Sequence, residues 1–195
     1  MRNLLFVILT FVSFNIFGQG NSPKEVFQLL DKAYTAKDTV AARSLYYQNS
    51  SDDKRLVTID LKFFLMKPQY IAFKNRIIKT YNKGALKNQL LSMFITMGSI
   101  PYYFKEKSDS AEITITDDKA NSIYKDPEGM NPADFFIKVN NKWYLDPKNG
   151  QAVSDVAQTE SLFVCLESIL REGNKLLDQK VSKEVFIAKL QQYLK

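Results

Sequence analysis

The hydrophobic period changes near residue 111, and few folds accommodate both halves. Before that point apolar residues recur at helical spacing; after it they alternate. Ala111-Glu112-Ile113-Thr114-Ile115-Thr116 puts apolar and polar side chains on opposite faces of an extended chain, which reads as a half-buried strand. Asp117-Asp118 reads as a turn and Asn121 to Lys125 as the partner strand. Phe135, Ile137 and Val139 alternate again, and Trp143-Tyr144-Leu145 returns after Asn140-Asn141. Asparagine tolerates the positive φ of a tight hairpin, so the pair marks a turn. Two registers are open there. A two-residue loop sets Trp143 beside Lys138, and a three-residue loop sets it beside Val139. The second gives the cleaner apolar face and is the expected one.

The helical half begins at Ser22-Pro23-Lys24-Glu25, where serine can cap, proline suits the first helical position and glutamate can complete a capping box. Val26, Leu29, Leu30 and Ala33 form its apolar face, and a second short helix is expected over Thr39 to Tyr47. Residues 54–66 fit either helix or strand and are read as helix, closed by Pro68. Helices are expected over Gln69 to Asn82 and Ala85 to Met97, with Gly98 and Pro101 as a stop signal. Two more follow, roughly Asp155 to Leu177 and Lys183 to Leu194. The expected fold class is therefore α+β: N-terminal helices packed on an antiparallel meander of about four strands, with two extra C-terminal helices.

The first residues bear on location. Met1-Arg2 is a short basic start, Leu4 to Phe17 is mostly apolar, and Gly18 is a small residue before Gln19. This is the pattern of a secretory signal peptide over 1–18, too short for a bilayer that needs roughly 20 residues. The expectation is export to the periplasm or the extracellular space, with no transmembrane anchor once the signal is removed. The remainder, 19–195, is expected to be a single α+β domain, with a core over 19–150 and a helical extension over 151–195. Its stability must come from packing, since Cys165 is the only cysteine and no internal disulfide can form. Cys165 shares the helical stripe of Leu162, Leu166 and Ile169 and reads as a small buried hydrophobe.

The chain contains no histidine. This removes Ser-His-Asp and Cys-His catalysis, and nearly all zinc chemistry. Any enzyme built on this sequence would have to use carboxylates, tyrosine or lysine. The net charge of +6 is mild and does not call for nucleic acid. No catalytic set, metal set or cofactor site is readable, so none is assigned.

Two stretches carry a resemblance: the helix pair Pro23 to Leu30 with Asp38 to Tyr46, and the strand pair Phe136 to Leu145. In this order they resemble exported members of the nuclear transport factor 2-like superfamily, in which a curved sheet wraps a long helix into a cone. Asn141 stands where that family usually has glycine. The resemblance implies a cone-like core and either an enzyme or a non-catalytic binding module.

Three residue groups are candidates for function. Arg76, Lys79, Lys83 and Lys87 lie at near-helical spacing and form a candidate basic patch; its plain alternative is a solvated helix face. Asp117-Asp118 with Asp126, Glu128 and Asp134 suggest a calcium site or an acid–base pair, but lack the spacing of a calcium loop, and turns favour aspartate in any case. Aromatic doublets are frequent, and neighbours on a strand cannot both face one core. Tyr102, Tyr103, Phe136 and Tyr144 are therefore candidates for a ligand or partner surface. The expected function is an exported non-catalytic domain that binds a small apolar ligand or a cell-envelope partner. The alternatives are a histidine-independent hydrolase- or isomerase-like enzyme using Asp and Tyr in a cone pocket, and a helix-mediated interaction protein.

Overall fold

A computed structural model describes residues 20–99, 102–127, 129, 131–148 and 156–194. The signal segment with its cut before Gln19, Glu128 of the acidic group, and Pro101 lie outside the described residues. Helices and sheet together give the expected mixed α+β class. Seven α-helices are described: α1 (Pro23–Thr35), α2 (Thr39–Ser44), α3 (Ser51–Tyr81), α4 (Gln89–Ser99), α5 (Phe104–Ser110), α6 (Val156–Asp178) and α7 (Lys183–Gln191). The strands β1 (Glu112–Thr116), β2 (Lys119–Ile123), β3 (Ala133–Val139) and β4 (Lys142–Leu145) form one antiparallel sheet in sequential order. The residues group into two units. One holds 20–61 and 102–148, the other 62–99 and 156–194. The boundary differs from a split at 150, because 62–99 groups with the C-terminal helices. α3 is continuous, and contributes its first residues to one unit and the rest to the other.

In the sheet-bearing unit the helix starts follow from their caps. Ser22 Oγ accepts the N–H of Glu25 at 3.1 Å, Pro23 opens α1, and Glu25 Oε2 accepts the N–H of Asn21 at 2.7 Å. Asp38 Oδ1 accepts the N–H groups of Val40 and Ala41 to start α2. That helix stops at Ser44 and not at Tyr47, because the next residues pair with β4: Leu145 N donates to Leu45 O and Tyr47 N to Leu145 O, both at 2.9 Å. α3 opens on a reciprocal pair. Asp53 Oδ2 accepts the Ser50 N–H at 2.8 Å, and Ser50 Oγ accepts the Asp53 N–H at 3.1 Å.

The hairpin register is the two-residue one: Lys138 pairs with Trp143 and Val139 with Lys142. This corrects the expected three-residue register. Asn140 and Asn141 both take positive φ (50° and 62°), the geometry of a type I′ turn whose twist matches the strands. The turn chemistry overrides the apolar pattern, and it moves the core face by one residue. Ala120, Ser122, Asp134, Phe136, Trp143 and Leu145 share one face and are all buried. Phe135, Ile137 and Val139 lie on the other face, where no residue is buried. α1 covers the buried face, with the Phe27 ring edge-on to Phe136 at 5.1 Å.

In the helical unit two further expectations are corrected. Pro68 does not close a helix but lies inside α3. Its ring is on an exposed position, and Met66, Tyr70, Phe73 and Ile77 are buried on either side of it. Packing of that face outweighs the roughly 3 kcal/mol that an interior proline costs. α4 ends at Ser99, beside the expected stop, but Gly98 is not a left-handed cap and lies inside the last turn. A Cβ there would sit 2.4 Å from the ring of Tyr70, whose hydroxyl donates to Leu166 O at 2.7 Å. The glycine is needed for close approach. Gly98→Ala is accordingly expected to lower stability by about 1–3 kcal/mol through overpacking, although alanine is the better helix former by about 1 kcal/mol. Thermal unfolding of the variant decides the sign; a raised midpoint would reject the contact.

Candidate functional site

The polar residues of the sheet-bearing unit converge on one side chain that the sequence reading did not single out. Asp60 lies on α3, one helical turn beyond Val57 and beside Leu61, both buried. Tyr34 from α1 donates to Asp60 Oδ2 at 2.8 Å, and the Tyr46 hydroxyl donates to the same oxygen. The two hydroxyls are also 2.8 Å from each other. Tyr102, ahead of α5, donates to Asp60 Oδ1 and to the Asp60 carbonyl, both at 3.1 Å. Burial pushes the Asp60 carboxyl above the ordinary aspartate value, against the opposite pull of the three tyrosine donors and of Lys107. Burial and the neighbouring Asp60 likewise raise Tyr34, Tyr46 and Tyr102 well above an ordinary phenol.

Aromatic rings link this cluster to a second polar group. Tyr102 stacks on Phe104 at 5.2 Å, Tyr34 meets Phe104 edge-on at 5.0 Å, and Phe104 neighbours Phe27. Lys107 of α5 lies over the Phe27 and Phe104 rings and pairs with Asp134 of β3 at 2.7 Å. Both partners are buried. Ser122 faces Asp134 across the ladder, fully buried, and its hydroxyl has no hydrogen-bond partner among the described residues. Asp53 is held differently. Burial opposes its charge, but Lys148 at 2.7 Å and the Ser50 donors hold its carboxyl below the usual range.

The candidate ligand-surface residues separate. Phe136 is in the core, Tyr102 is tied to Asp60, and Tyr103 takes a left-handed φ of 54° before α5 with its ring 5.9 Å from Tyr124. Tyr144 alone lies on the outer sheet face, opposite Ile137. In the helical unit, Arg76 is bonded to α6 through Asn174 at 2.5 Å and Asp178 at 2.6 Å. Lys79 is exposed on the last turn of α3. Lys83 and Lys87 belong to a separate 3-10 segment, because Asn82 breaks the helix at φ 63°. Asp134, from the acidic group, serves Lys107. Among the described residues no three His, Cys, Asp or Glu side chains are grouped to hold a metal. Cys165 is half-buried, and its thiol is raised by burial and lies 3.3 Å from Tyr193 O. A small apolar depression lies among Leu91, Phe94, Ile169, Ile187 and Leu190.

A signal for Asp60 was present in the sequence. Asp53, Val57, Asp60 and Leu61 fall on one helix face, so Asp60 occupies a core position. Its tyrosine partners come from three other segments, which spacing within one helix cannot show. Compared with known proteins, the chain matches no family model, no curated protein and no solved structure, so a functional reading rests on its own residues.

Proposed function

We propose that this chain is an exported, non-catalytic domain that binds an apolar ligand or cell-envelope partner through the outer face of its sheet. One observation carries the reading. Ile123, Phe135, Ile137, Val139 and Tyr144 share that face, and none of them is buried. Ile123 is 46% exposed. The other four are half-buried, so the face keeps apolar area partly open to water, and such area marks interaction sites. The resemblance to nuclear transport factor 2-like proteins belongs to the same proposal and is supported only by the packing of α1 across the sheet.

A histidine-independent enzyme is the second reading. It is favoured by one carboxylate surrounded by tyrosine hydroxyls. Those hydroxyls engage both carboxyl oxygens, which weighs toward a structural role for Asp60.

The binding reading is tested with an apolar fluorescent probe, anilinonaphthalene sulfonate, on the mature protein. Binding is expected to fall at least about fivefold in the double variant Ile137→Ser, Tyr144→Ser. The unfolding midpoint should stay close to that of the parent. Unchanged probe binding by a folded double variant would reject the outer face as the site.

A further inference from the structure

Tyr34 Oη, Tyr46 Oη and Asp60 Oδ2 form a closed triangle of oxygens, all three edges within hydrogen-bond distance. An oxygen–oxygen contact of that length is favourable only with a proton between the atoms. Three edges need three protons, and two phenols carry two. We propose that Asp60 is held as a neutral carboxylic acid whose proton completes a ring of hydrogen bonds with Tyr34 and Tyr46, and that loss of this proton to solvent loosens the joint between α1, the 45–47 segment and α3. In the closed ring one tyrosine donates to Asp60 Oδ2, the acid donates to the other tyrosine, and that one donates to the first. Each oxygen thus donates once and accepts once; both tyrosines donating to Oδ2 is the pattern of the ionised carboxylate. With Asp60 ionised, two protons serve three edges, and one pair of oxygens faces lone pair to lone pair.

The surroundings agree with this assignment. Among the described residues, the titratable and charged groups that act most strongly on Asp60 are Tyr34 on α1, Tyr46 after α2, Tyr102 ahead of α5, and Lys107 on α5. Lys107 is the single cation among them, and its ammonium is engaged by Asp134 at 2.7 Å. Burial moves the Asp60 carboxyl in the direction that retains the proton. The chain has no histidine, so a proton-sensitive joint in it has to use another titratable group, such as a buried carboxyl. The sign of the pH effect follows. A group whose affinity for protons is higher folded than unfolded contributes its full stabilisation below the ordinary value of 3.8 and loses it as pH rises through the folded midpoint. The assignment is independent of the outer-face reading, and either can fail without the other.

The full mature protein supplies the test. The Asp60 carboxyl carbon is followed by ¹³C NMR against pH, in the parent and in Tyr46→Phe. The parent midpoint is expected above the ordinary value of 3.8. In Tyr46→Phe one edge remains and one phenol proton fills it, so the midpoint should fall. Tyrosines that merely donate to an anion predict the reverse, a midpoint that rises when a donor is removed. A parent midpoint at or below 3.8, or a higher midpoint in Tyr46→Phe, would overturn the proposal. Asp60→Asn adds a second readout. Its amide cannot ionise, so the stability of the parent relative to this variant should decline as pH rises. A pH-independent difference contradicts the proposal. Should Asp60→Asn not fold, the Tyr46→Phe titration still decides.

Discussion

Trp143→Ala is expected to destabilise the protein by about 3–5 kcal/mol in denaturant unfolding. The indole is 4% exposed, and Leu145 and Phe136 bury the same sheet face. The side chain opposite is Lys138, whose ammonium lies 5.8 Å from the ring centre. The lysine stem covers the indole, and its charge faces the ring's negative quadrupole. The backbone at Trp143 is also tied down, its N–H donating to Gly20 O at 2.8 Å. That bond survives the substitution, so the loss comes from the ring. Tyr144→Ala, on the opposite and unburied face, should cost clearly less. Near-parental stability of Trp143→Ala would reject the core assignment. A comparable loss in Tyr144→Ala would mean that the outer face is a second core, and would count against the proposed binding surface.

Asp134→Ala should be comparably damaging, by about 3–5 kcal/mol, for an electrostatic reason. Its carboxylate is 2.7 Å from Lys107 Nζ, both residues are buried, and the ammonium lies over the Phe27 and Phe104 rings. Removing the carboxylate leaves an ammonium in an aromatic cage with its countercharge gone. Replacing both partners, as Lys107→Met with Asp134→Leu, removes the charge together with its compensation. That double variant is expected to recover most of the loss, because a buried ion pair adds little net stability over apolar residues of similar volume. Chemical denaturation of the single and double variants gives the coupling. Equal losses in the two would show that the site depends on shape and not on charge pairing.

Asp134 and its strand neighbour Lys138 show where local reasoning stops. Asp134 and Lys138 alternate with Phe135, Ile137 and Val139, so by polarity alone they belong outside. They point inward because Lys107, on α5, supplies a partner for Asp134, and Trp143 supplies a surface for Lys138. Lys107 is distant in sequence, and its helix carries no strong apolar period.

Local chemistry determined what depends on neighbours in the chain. Ser22-Pro23 and Ser182 set helix starts through caps that reach three residues, and alternation in 112–116 set a strand because successive side chains must point apart. Asn140-Asn141 marked the hairpin, since the turn itself needs positive φ. What the tertiary structure alone decided depends on partners far along the chain. Pro68 stays helical because buried residues on both sides hold it, and Gly98 serves the Tyr70 ring in place of a left-handed cap. The polar cluster is the clearest case. Tyr34, Tyr46 and Tyr102 meet Asp60 across separations of 26, 14 and 42 residues. A hydrogen bond between such positions exists only once packing has brought the segments together, so no pattern along the chain could announce it.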